Sequence, residues 1–199
     1  MADSVRAFAA IELPTVVKEQ LATLVDKLHE ARLHGIRWGN PWSMHLTLKF
    51  LGNVPVESVP EIQHAMDALA QKQCPFTLQV HQLGGFPTIQ NPRVIWAGLA
   101  GDVEALIQFQ DRLEKEALVL GFPLGDRTFT PHLTLGRVRD RLSPQELDRL
   151  ALEVSAINLP EMAFNVTSVT LMQSILLPSG AEYRALGQIP FMQPLSKIE

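Results

Sequence analysis

A single cysteine, Cys74, stands in a chain of 199 residues. No internal disulfide can form, and a thiolate metal site has no second sulfur to draw on. Clusters of His, Asp and Glu at metal-ligand spacing are also missing, so no metal and no other cofactor is expected. The opening stretch, MADSVRAFAAIELP, has an acidic residue early and no apolar run long enough for a signal peptide. No segment approaches the roughly 20 apolar residues of a membrane span. Together these absences point to a cytoplasmic protein with no membrane partner. Excess positive charge is lacking too. The formal net charge of −4 argues against a surface coated for long duplex nucleic acid, though it leaves room for a small basic pocket.

What is present is a globular composition, 46% hydrophobic and 19% charged. No linker rich in Gly or Ser divides the chain. Residues 1–199 are therefore expected to form one two-lobed domain with a cleft between the lobes, and nothing demands more than a monomer. A strand is expected over 6–12, then an amphipathic helix over 16–33 with Val17, Leu21, Leu24, Val25 and Leu28 at helical spacing. HGIRW and MHLTLKFLG read as extended, followed by a helix over 55–73. PFTLQVHQLGGF and PRVIWAGLA read as strands, and the helix from Asp102 closes at Gly121. A short helix begins after Ser143, with Glu146 as its capping-box partner. Two last strands, over 164–177 and 182–189, turn around PSG.

Within this order one phrase occurs twice, His-Leu-Thr-Leu at 45–48 and again at 132–135. A recurring tetrapeptide is weak evidence by itself. Here each copy ends a strand–helix–strand passage, which suggests two similar α+β lobes related by an approximate two-fold. On a strand, residues two apart point the same way, about 7 Å apart at roughly 3.4 Å rise per residue. His45 and Thr47 would then project together, as would His132 and Thr134. Four such groups suit a phosphate held between them. Hydroxyls donate to its non-bridging oxygens, one neutral imidazole takes a proton from a nucleophile, and one imidazolium gives a proton to the leaving group. The other histidines, His29, His34, His64 and His81, lack this context and read as ordinary surface residues.

The motifs resemble the signature of the 2H phosphoesterase superfamily, and more narrowly the bacterial RNA 2′,3′-cyclic phosphodiesterases, historically called 2′-5′ RNA ligases. RAFAAIELP, HLTLKFLGNV, GGFPTIQNPRVIWAGL and RTFTPHLTLGRV all look like recurring blocks of that family, and the likeness runs from about residue 6 to about 186. It implies an α+β, bilobal LigT-like fold of two antiparallel sheets with outer helices and a central cleft. It also implies metal-independent hydrolysis of an RNA-terminal 2′,3′-cyclic phosphate to a 2′-phosphate, with RNA 3′ ends or small cyclic nucleotides as partners. By position, His45 is the expected proton donor and His132 the expected acceptor, with Thr47 and Thr134 on the phosphate. Arg137, five residues after the second His, matches a substrate-contact position. Reversible 2′-5′ ligation and a non-catalytic RNA-end binding module are the alternative readings.

Strict alternation sets three expectations apart from that carry-over. Lys49 would share the face of His45 and add positive potential to the cleft. Phe50, a candidate platform for a nucleobase, would instead fall on the apolar face with Leu46 and Leu48. Arg137 would turn away from His132 unless Gly136 marks a bulge that re-aims it; a regular strand through Val138 excludes that. Arg93 and Trp96 read as structural.

Overall fold

The computed structural model describes residues 3–126, 128–177 and 180–192. Among them the elements run β1 (Ser4–Glu12), α1 (Thr15–Glu30), β2 (Ile36–Trp38), β3 (His45–Pro55), α2 (Val59–Ala70), β4 (Phe76–Phe86) and β5 (Val94–Gly101). They continue with α3 (Val103–Val119), β6 (His132–Val138), α4 (Pro144–Ala156), β7 (Met162–Val166), β8 (Ser168–Leu177) and β9 (Gly180–Pro190). The strands form two sheets, in the orders β3-β1-β8-β9 and β2-β6-β5-β4-β7. Every pairing is antiparallel.

Local chemistry explains the boundaries. The expected helix over 55–73 is shorter, because a 3₁₀ turn at Val56–Ser58 precedes it and Pro60 sits in the first turn, where a missing N–H does no harm. Ser143 and Glu146 form the reciprocal capping box that starts α4: the Glu146 N–H donates to Ser143 Oγ at 3.3 Å and the Ser143 N–H to Glu146 Oε2 at 2.8 Å. Gly121 follows α3 with φ +87°, a conformation that only glycine adopts freely.

The expected strand over 164–177 is two strands. Met162, Phe164 and Val166 are buried, then Val169 and Leu171, so the alternation slips phase at Thr167. There the chain leaves one sheet for the other: β7 pairs with β4, whereas β8 pairs with β1 and β9. Pro178 and Ser179, in the expected PSG turn, lie outside the described residues, as does Arg127.

The two-fold is visible in β1–α1–β3 against β5–α3–β6, but the lobes exchange pieces. β2 belongs by sequence to the first half and pairs with β6 in the second sheet. The last two strands join the first sheet. α1 buries the five residues expected of it, and α3 buries Leu106, Phe109, Gln110, Leu113 and Ala117. One continuous apolar cluster contains Leu46 of β3 and Leu133 and Leu135 of β6, all fully buried. Burial of each such Leu stabilises by about 1.5–3 kcal/mol. The motif leucines thus anchor the strands from which His and Thr project. Among the described residues no helix is long and apolar enough to cross a membrane.

Candidate active site

Neither His-Leu-Thr-Leu strand is regular. In β3, Thr47 pairs with Ala10 and Lys49 with the adjacent Ala9, so Leu48 is one residue too many. In β6, Thr134 pairs with Trp96 and Gly136 with the adjacent Ile95, so Leu135 is the extra residue. Both motifs carry a β-bulge at the same position, and a bulge reverses the side-chain parity of everything after it.

The reversal corrects two expectations. Lys49 does not share the face of His45: it is only 4% exposed and its ammonium donates to Glu114 Oε2 at 2.5 Å and to the Pro123 carbonyl at 2.6 Å. Phe50 does not join Leu46 and Leu48 in the core: it is 65% exposed and lines the cleft. In β6 the same reversal brings the exposed Arg137 to the cleft although the strand continues to Val138. Gly136 stands next to the extra residue, and a side chain there would collide with the ring of Trp38. Phe50 and Arg137 each lie five residues after a motif His and occupy equivalent places in the two halves.

The histidines are oriented alike. His45 Nδ1 lies 2.9 Å from the Ser43 carbonyl, and His132 Nδ1 lies 2.7 Å from the Thr130 carbonyl. A carbonyl only accepts, so each Nδ1 carries the proton and donates it. Nε2 is then left on each ring to exchange a proton in the cleft. The surroundings differ. Phe8 and Tyr183 each place a ring centroid 4.8 Å from that of His45, Tyr183 edge-on. His132 has the edge-on ring of Phe86 at 5.0 Å, and Phe86 packs on Trp96 at 5.1 Å. Trp96 lies across Gly84, where any Cβ would meet its ring at 2.4 Å. Burial holds His45 below the usual histidine pKa of 6.5; its bond to the Ser43 carbonyl and the charge of Glu12 oppose that effect, and Lys18 adds to it.

β3 and β6 approach one another, and a cleft of about 710 Å³ opens over them. Its walls include both His–Thr pairs, Phe50, and Arg137. Sequence reasoning did not assign Phe8 or Tyr183 to the site, nor Arg6, Arg37 and Arg139, which also line it. Among the described residues the cleft is lined by four arginines and a single carboxylate, Glu182, in a chain whose net charge is −4. The side chains of Arg6, Arg137 and Arg139 make no hydrogen bond or ion pair within the described residues. His29, His34, His64 and His81 are exposed and lie outside the cleft. Among the described residues no cluster of three His, Cys, Asp or Glu side chains is placed to hold a metal ion.

Comparison with known proteins brings the same halves forward. The family model described as LigT like Phosphoesterase matches the chain twice, over residues 11–96 and 99–183, one motif in each match. A protein named RNA 2′,3′-cyclic phosphodiesterase from Methanothermobacter thermautotrophicus is 30% identical over 180 residues, covering 90% of this chain and 95% of its own. One of the same name from Thermotoga maritima is 30% identical over 186 residues, covering 94% and 95%. Among solved structures, E. coli LigT in apo form superposes with a TM-score of 0.71 at 28% identity, over 96% of this chain and 99% of that one. The same protein complexed with 3′-AMP gives 0.68 at 27%, over 96% and 100%.

Proposed function

This chain belongs to the LigT-like phosphoesterase family, and from that premise we propose that it hydrolyses an RNA-terminal 2′,3′-cyclic phosphate to a 2′-phosphate, by two-histidine acid–base catalysis without a metal. The observation that carries the reading is the matched pair of imidazoles, each with Nδ1 tied to a carbonyl and Nε2 left for proton transfer, each two residues from a threonine in one cleft. The name of the curated relatives supports the reaction class, and bound 3′-AMP in E. coli LigT supports a nucleotide ligand.

In this reading the cyclic phosphate sits between the motifs. The hydroxyls of Thr47 and Thr134 donate to its non-bridging oxygens, and the guanidinium of Arg137 offsets its charge. Water attacks phosphorus opposite the 3′-oxygen. His132 Nε2 takes the water proton, the P–O3′ bond breaks, and His45 delivers a proton to O3′, leaving a 3′-hydroxyl and a 2′-phosphate. Burial makes protonated His45 a readier donor, and the phosphate anion beside it stabilises the charge that burial disfavours. The nucleobase stacks on Phe50, which lies 5.9 Å from Phe8 between ring centroids. Arg6, Arg37 and Arg139 face the phosphates that precede the terminal nucleotide in an RNA chain.

The test is incubation with 2′,3′-cyclic AMP and with a short RNA bearing the cyclic end, EDTA present, beside His45→Ala and His132→Ala. The expected result is a 2′-phosphate whose formation falls about 10²–10⁴-fold in each variant. A 3′-phosphate product, or turnover that survives either substitution, refutes the proposal.

A further inference from the structure

The chemistry above leaves unused a chain of polar groups, with Lys49 and Gln110 buried and Glu114 mostly covered, that links the first motif to the segment before the second. The carbonyl of Leu48, the extra residue of the first bulge, accepts from Gln110 Nε2 at 3.3 Å. The same amide donates to Glu114 Oε1 at 3.1 Å. Glu114 Oε2 in turn accepts from Lys49 Nζ and from the Gly125 N–H at 3.3 Å, while Lys49 also reaches the Pro123 carbonyl. Residues 123–125 belong to the segment that leads into Thr130 and His132. The second bulge is held in the opposite sense. The Leu135 carbonyl accepts from the Gly39 N–H at 2.7 Å, and Gly39 lies on the approach to Ser43 and His45. Each bulge is therefore braced by the approach to the other histidine.

We propose that Lys49, Glu114 and Gln110 are positioning residues that move the first bulge and the approach to His132 as one unit. They keep Thr47 and Phe50 aimed into the cleft and keep the Thr130 carbonyl on His132 Nδ1. The inference rests on the proposed reaction for its kinetic consequence. Its structural content stands apart. A solvated ion pair would need no such arrangement. Here Lys49 is buried, and Gln110 is buried on a helix face it shares with Leu106, Phe109, Leu113 and Ala117. Bulges have few ladder bonds of their own, so an external tether decides which way the following side chain points.

Removing one charge strands the other in the interior, so single Lys49 or Glu114 variants confound position with folding. The informative variant is Lys49→Met with Glu114→Leu, which keeps apolar volume, removes both charges, and leaves Gly125 and Pro123 untethered. Gln110→Leu, which leaves the ion pair in place, is measured alongside. In folded protein of either kind, kcat for 2′,3′-cyclic AMP should fall about 10–100-fold, as a displacement near 1 Å does, with KM changed less than about three-fold. Imidazole ¹⁵N spectra, which need no substrate, should show the double variant's His132 leaving its single Nδ1–H tautomer. Wild-type kcat in both variants, or imidazole spectra of the double variant identical to wild type, overturns the inference. Absence of turnover by the wild type sinks the proposed reaction alone; the imidazole spectra still decide the brace, and if the double variant does not fold, the kcat and spectra of Gln110→Leu decide it in the same way.

Discussion

Phe50→Ala separates the structure from strict strand alternation. Were Phe50 a core residue, its truncation would destabilise the protein by about 3–5 kcal/mol. It is 65% exposed, which leaves about a third of the residue in contact with protein. An aromatic side chain offers about 200 Å², so about 70 Å² of buried surface is at stake. At about 25 cal/mol/Å² the loss is under about 2 kcal/mol, an upper bound because the unfolded chain also shields apolar surface. The substrate side is expected to change more. Stacking on an aromatic ring contributes about 1–3 kcal/mol per base, a fall of about 5–150-fold in kcat/KM. Urea melts and initial rates on 2′,3′-cyclic AMP measure the two quantities on the same preparation, and Phe50→Trp, which keeps a ring, should retain most of the rate. A stability loss above about 3 kcal/mol with kcat/KM within two-fold of wild type would refute the bulge argument.

Two further outcomes follow from the cleft. Because burial holds His45 below 6.5, the folded protein binds its proton less readily than the unfolded chain does; stability should fall as pH drops through 6.5 toward the lowered pKa, and His45→Gln should reduce that acid sensitivity in urea melts at pH 7.5 and 5. An unchanged pH slope in the variant contradicts the assignment. Arg139→Glu should lower the salt dependence of kcat/KM on an oligonucleotide with a cyclic end, by about 0.7 in the log–log slope for each phosphate it no longer neutralises. An unaltered slope removes Arg139 from the path of the RNA.

The motif residues were legible because period-two alternation holds up to the bulge: His45, Thr47, His132 and Thr134 needed only the strand's first three positions. Helix limits were legible where capping chemistry is local, as at Ser143 and Glu146. Beyond Leu48 the same rule turned Lys49 and Phe50 to the wrong faces, since nothing in HLTLKF marks an extra residue. Gly136 gave a cue in the second copy, and glycine is absent from the matching place in the first. Gln110 and Glu114 look like solvated positions of an amphipathic helix; Gln110 is buried and Glu114 mostly covered, in contact with β3 and with residues 123–125, distant in sequence. The placement of β2 in the second sheet and the phase slip at Thr167 are likewise settled by pairing partners far along the chain.

A pair of histidines related by a two-fold cannot by itself tell one ester oxygen of a cyclic phosphate from the other, because either ring can play either part. The position five residues past each histidine removes that indifference. One half presents a benzene ring there and the other a guanidinium, so at these two matched positions a bound nucleotide would find a face for its base on one side and a counter-charge on the other. Reversing the ligand would set the base against Arg137 and an anion against Phe50. In the proposed reaction, regiochemistry would thus be decided by a phenylalanine and an arginine that exchange no protons. Swapping the two residues between the halves would be expected to invert the product rather than abolish it.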